Sequence, residues 1–221
     1  MGTRPDIMNF MDNEHHDEFK PISLPGEGIS QRTLDELLAA GFTLEGANLK
    51  SASMQLLNLS LQEMSRADLS EANLCQANLS ASVLRDANLS NTNLRKTNFN
   101  EADLTGADIH QSNLIGSTFA NSYLSAANLE KSDLSGSTLA YAKMSFANLQ
   151  NATMIGTTLM SANLTGADLR GADLTGATLF QAYLYRVNLE GANLEGACLL
   201  GATMPDGTIF TGEYIQFTKI K

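Results

Sequence analysis

Residues 166–180 read GADLRGADLTGATLF, three five-residue phrases in tandem, and the phrase A-(D/N)-L-x-x keeps one unbroken phase from residue 44 to residue 204. Each phrase has a large apolar centre, such as Leu69, Leu74, Leu79, Leu84 and Leu89. The residue two before the centre is mostly Ala or Ser, with Phe42, Leu57, Gln62 and Val187 as bulky exceptions. In an extended chain residues two apart point to the same side, so Ala167 and Leu169 face inward while Asp168 faces out. The two remaining residues of each phrase must turn a corner. A type II turn needs positive φ at its second central residue, which favours Gly or Asn. Every glycine within the repeats, Gly46, Gly106 and Gly201 among them, occupies that one phase.

A run of short faces joined by corners buries its apolar side only against its neighbours, which makes it a solenoid. On this tandem phrase, which spans about three quarters of the chain, the sequence resembles the pentapeptide repeat family. The resemblance implies an all-β fold, a right-handed quadrilateral parallel β-helix with four pentapeptides per coil. Coils of about 20 residues stacked at the strand-pairing distance of about 4.8 Å would give about eight coils and a rod of order 40 Å. The four inner stacks then begin at Leu44, Leu49, Met54 and Leu59, and the last carries Phe99 directly below Phe119. At about 1.5–3 kcal/mol per buried large apolar side chain, these centres supply the main driving force. Backbone ordering opposes it at about 1–2 kcal/mol per residue.

An uncovered end coil would invite pairing with another chain, and both ends carry signals of a cap. Thr33-Leu-Asp-Glu36 has capping-box spacing, Leu34, Leu37 and Leu38 form an apolar helical face, and Gly41 stands at a C-terminal cap position. These predict a short capping α-helix over residues 31–40, within a capping segment at 30–41. Residues 42–204 form the β-helix. After it, Met204-Pro-Asp-Gly207 breaks the phase, and Ile209, Phe210, Tyr214, Ile215 and Phe217 offer apolar cover in a C-terminal cap at 205–221, an ending that resembles cyanobacterial family members. Residues 1–29 hold Pro5, Pro21 and Pro25 and six acidic residues without periodicity, and read as a disordered acidic tail. Within it Phe10, Met11 and Phe19 are available for docking on the rod or on a partner.

The formal net charge is −10. Between residues 44 and 204 the 14 acids and 9 bases sum to −5, so the other half of the charge belongs to the ends. No apolar run reaches transmembrane length, and the acidic start lacks a secretory signal, so the expected setting is cytoplasmic with no membrane partner. Cys75 and Cys198 lie about six coils apart, near 30 Å and beyond disulfide reach, as suits a reducing compartment. Of the three histidines, His15 and His16 fall in the tail and His110 on an outer turn. Neither a nucleophilic triad nor a metal cluster assembles from them, and no phosphate-binding or dinucleotide motif is present. The reading is a non-enzyme without catalytic residues, cofactor or metal.

Two outward columns suggest function. One face climbs Asn48, Asp68, Asn88, Asp108, Asn128, Asn148, Asp168 and Asn188. Some family members imitate duplex DNA and occupy the DNA site of type II topoisomerases, so the resemblance admits an acidic ladder of Asp68, Asp108 and Asp168 in place of phosphates. Against it, Lys50, Lys131 and Arg170 stand beside this face, and Asn and Asp in this position serve nearby backbone. The second column, just after the fourth-face centre, runs Ser60, Ser80, Asn100, Ala120, Ala140, Met160, Phe180 and Leu200, from polar to bulky. With Tyr141, Phe146, Tyr183 and Tyr185 on the adjoining corners and face, it forms an apolar stripe of the kind that marks interaction sites.

The expectation is a non-catalytic rigid scaffold that binds a protein partner through Met160, Phe180, Leu200, Tyr183 and Tyr185, with Tyr141 and Phe146 at the rim. Self-association through the C-terminal coils would use the same surface, and the C-terminal tail could instead fold back over it. Direct nucleic-acid binding is not expected. A DNA-mimic regulator of a topoisomerase and a structural spacer without a specific partner are the alternatives.

Overall fold

The computed structural model describes residues 20–212. From residue 46 to residue 201 every fifth residue has positive φ, between 53° and 74°, whether it is glycine or not. Behind most corners a 4→1 bond closes the turn, as in Ala67 N–H to Met64 O at 3.1 Å, while Thr92 and Ser112 donate their N–H to the serine hydroxyl one coil on. Ahead of each corner the central residue and the outward residue bond to the coils above and below. Leu69 N–H donates to Asn88 O, and Asp68 N–H donates to Ala47 O. Parallel bridges therefore join residues 20 apart, Asn48 to Asp68 to Asn88 and so on to Asn188, with four bridges per circuit. The chain is a right-handed quadrilateral β-helix.

The interior is continuous. Every centre from Leu44 to Leu199 is buried, and Phe99 and Phe119 stack with ring centroids 4.8 Å apart and planes 7° from parallel. That spacing is the rise per coil. The inward serines and threonines of the repeats, Ser137 apart, donate their hydroxyls to carbonyls. Thr92 Oγ1 donates to Leu69 O, Ser112 Oγ to Leu89 O and Ser132 Oγ to Ile109 O, at 2.7 to 2.9 Å. Among the described residues only Ser137 Oγ is a buried side-chain polar atom without a partner.

The N-terminal end differs from the tail read at 1–29. Strand β1 (Lys20–Ser23) pairs parallel with strand β2 (Phe42–Asn48). Leu24 N–H then donates to Asn48 O and Ile29 N–H to Ser53 O, both at 2.9 Å. Residues 20–29 thus form most of a further coil beneath the first repeat, with Ile22, Leu24 and Ile29 buried as its centres. Three buried apolar side chains overcome the local cost of Pro21 and Pro25, which a composition argument weighs alone. Phe10, Met11, Phe19, His15 and His16 lie outside the described residues.

Helix α1 (Gln31–Ala39) closes this coil, and Leu34 and Leu37 are buried at the end of the core. Its N-cap is Ser30, whose side chain accepts from Thr33 N–H. The Thr33–Glu36 box expected from spacing does not form, because Ser30 takes the cap and Glu36 pairs with Arg32 at 2.7 Å. Gly41, at φ +87°, ends the helix as expected. Gln31 replaces a fourth face: its amide accepts from Asn58 N–H at 2.7 Å and donates to Asn58 O at 3.2 Å. At the other end the chain reverses at Gly207 and returns antiparallel, with Thr203 bridged to Ile209 and Phe210 packed on the core. Tyr214, Ile215 and Phe217 lie outside the described residues.

Candidate protein-interaction surface

The acidic ladder is built of Asx turns. In each outward Asn or Asp the side-chain oxygen accepts the N–H two residues on, as in Ser70 N–H to Asp68 Oδ1 at 3.0 Å. The same oxygens join coil to coil, since Asn88 Nδ2 donates to Asp68 Oδ1 and Asn128 Nδ2 to Asp108 Oδ1. Asp108 also has His110 Nδ1 at 2.8 Å. Asp168 is held by the Arg170 guanidinium at 2.7 Å and by the Gln150 amide at 2.9 Å. The Arg170 hydrogen bond outweighs burial and keeps the Asp168 carboxyl below its ordinary value. All three carboxylates accept hydrogen bonds within their own rod, and among them Asp168 is also neutralised by Arg170.

The apolar stripe is uneven. Met160 and Phe180, one coil apart in the same column, are half-buried. The other members of the stripe and its rim stand further out. Phe146 is 70% exposed, and Tyr141, Tyr183, Tyr185 and Leu200 lie between 41% and 54%. The Phe146 ring lies over Gly166, where a Cβ would meet it at 2.7 Å. The returning C-terminal strand passes near Leu200, with a Cβ at Gly212 falling 3.3 Å from Leu200 Cδ1. Leu200 nevertheless stays exposed.

Three further residues belong to this side. Lys143 Nζ sits 4.0 Å above the centre of the exposed Tyr123 ring, and Arg186 Cζ lies 5.1 Å from the centre of the Tyr185 ring. Tyr123, Lys143 and Tyr183 occupy one 20-residue column, a signal available from spacing once the columns are written out. Elsewhere Leu56 and Leu61, at 71% and 78% exposed, stand on two corners of the first coils. Ile155 is exposed by itself.

Among the described residues no group of three His, Cys, Asp or Glu could hold a metal ion, and no helix is long and apolar enough to cross a membrane. Cys75 and Cys198 are both free thiols.

The family model for pentapeptide repeats matches in eight copies, the matched stretches running from residue 43 to residue 212. HetL, a pentapeptide repeat protein involved in heterocyst differentiation regulation from the cyanobacterium Nostoc sp. strain PCC 7120, is similar at 29% identity. The match covers 81% of this chain and 98% of HetL, with a TM-score of 0.52. A trypsin-treated form of QnrB1, a plasmid-mediated fluoroquinolone resistance protein, is 18% identical over 81% of this chain and 90% of its own, with a TM-score of 0.58. At that identity the likeness concerns the fold. A comparison with curated proteins gave no match.

Proposed function

This chain belongs to the pentapeptide repeat family, and on that premise we propose that it is a rigid, non-catalytic scaffold that binds a protein partner through the aromatic side of its C-terminal coils. The observation that carries the reading is the grouping of Tyr141, Phe146, Tyr183, Tyr185 and Leu200, each at least 41% exposed, on adjoining columns of one rod. Water-exposed rings cost free energy until they are covered, and tyrosine serves as an anchor because it loses few rotamers on binding. A backbone tied from coil to coil by repeated hydrogen bonds loses little more entropy when bound. HetL's involvement in regulating differentiation supports a regulatory setting. Two free thiols suit the cytoplasm as the compartment.

Affinity capture from the host's lysate tests this, followed by titration of the purified captured protein against the parent chain and a Phe146→Glu, Tyr183→Glu variant. Both side chains project outward, so far-ultraviolet circular dichroism should not change. We expect the variant's affinity to fall at least tenfold. Equal affinity would remove this surface from the function, and capture of nothing specific would favour a spacer.

A further inference from the structure

We propose that the stretch DIMNFMD at residues 6–12 of this chain docks on the aromatic side of the C-terminal coils and screens it from partners. The inference concerns regulation of the surface proposed above, but the contact itself requires no partner.

The surface has an unusual charge for an acidic protein. Residues 140–146, 160–166 and 180–186 make up this side and include Lys143 and Arg186 but no Asp or Glu. Among the described residues Lys50, Arg66, Arg85, Lys131 and Arg170 each pair with a carboxylate. Lys143 and Arg186 rest instead on tyrosine rings. A cation held over a ring keeps its outer side open, and a carboxylate arriving there completes both a charge-assisted bond and the aromatic contact. The complementary ligand is therefore an acidic segment with apolar side chains.

Residues 6–12 have that chemistry, with Asp6 and Asp12 flanking Ile7, Met8, Phe10 and Met11. Their tether leaves the rod on the right side. Lys20 pairs with Phe42 and Pro21 with Thr43, so the chain joins the solenoid at the foot of the column that climbs to Tyr123, Lys143 and Tyr183. Six coil steps from Lys20 to the level of Lys143 are about 29 Å, and eight steps to the level of Tyr183 about 38 Å. Fourteen residues from Asp6 to Lys20 reach up to about 46 Å, and eight from Asp12 up to about 26 Å. The stretch therefore spans the aromatic side when extended. Lower on the rod the same column carries Glu63 and an Asp103 already paired with Arg85, with no cation held over a ring among the described residues, so the favourable contact begins at Tyr123. Residues 13–19 must run nearly straight to allow this, so the charge-assisted and aromatic contacts together have to offset the cost of stretching them.

Carbodiimide coupling of the purified full chain, mapped by mass spectrometry, tests the contact. Coupling of Asp6 or Asp12 to Lys143 should exceed coupling to Lys96 at least tenfold, since Lys96 is exposed on another corner. A Tyr123→Ser, Tyr183→Ser variant with unchanged circular dichroism should lose that preference. Equal coupling to Lys143 and Lys96 would overturn the proposal. Mixed light and 15N-labelled chains that couple to each other would assign the surface to a second copy and also overturn it. Because no partner is added, these results stand whether or not capture succeeds.

Discussion

Leu61 holds φ at +62° with most of its surface in water, a left-handed conformation that costs an L-residue roughly 1–2 kcal/mol and glycine almost nothing. It persists because the corner amide is committed, with Leu61 N–H donating to Ser80 O at 3.0 Å. Leu61→Gly should therefore raise stability by up to about 1 kcal/mol, less the extra chain entropy of glycine when unfolded, and the urea midpoint would register it. A fall would mean that the Leu61 side chain is covered in solution. Carboxylates give a second expectation at this scale. For Asp103, burial raises the pKa, but hydrogen bonds from Thr105 and Arg85 outweigh it, and Asp168 is lowered mainly by Arg170. A carboxyl depressed in the folded state contributes stability that is present above its unfolded pKa and is lost as pH falls through its folded pKa. Denaturant midpoints should fall on acidification below the ordinary carboxylate range, and Asp103→Asn should flatten that dependence. Glycine at the corner phase announced the turn in the sequence; that Leu, Lys or Phe would occupy the same φ depends on the inter-coil bonds.

At the scale of elements, the first coil and its helix act together. Residues 20–29 lack the five-residue phrase, so periodicity could not find them, yet they pair with Phe42, Asn48 and Ser53 as a coil does. Helix α1 completes the circuit, with Ser30 capping it and Gln31 reproducing a backbone pair against Asn58. Ser30→Ala leaves the Thr33 N–H without its acceptor and should cost about 1 kcal/mol. Hydrogen exchange should then quicken in α1 and the first coil while the central coils stay protected, because each coil touches only its neighbours. Uniform loss of protection would show a single cooperative unit. The helix was legible from its apolar spacing; its cap was not, since the box spacing points to Thr33 and Glu36 while Ser30, with Thr33 three residues on, lacks that spacing and still takes the cap.

For the whole molecule the 20-residue circuit is the unit of design. Excising residues 84–103 joins Val83 to Leu104 in unbroken phase and removes both members of the Arg85–Asp103 ion pair. The shortened rod should keep its circular dichroism, with a urea m-value lower by about an eighth, in proportion to surface lost. Collapse of the fold would mean that central coils are not interchangeable. The sequence by itself determined the solenoid, its inward and outward positions and the phase of its corners, because a strict five-residue period leaves one set of side chains able to meet across a common axis; the four-sided coil, with its four stacks and 20-residue columns, followed from the family resemblance and is seen in the bridges. Tertiary structure alone decided how the ends close, how far each bulky column member stands in water, and which charges are already satisfied. Those depend on which neighbours packing brings into contact, whether two residues away as Arg170 on Asp168 or about one coil away as Gln150 on Asp168 and Lys143 on Tyr123. The period brings such residues side by side, and packing sets what they do there.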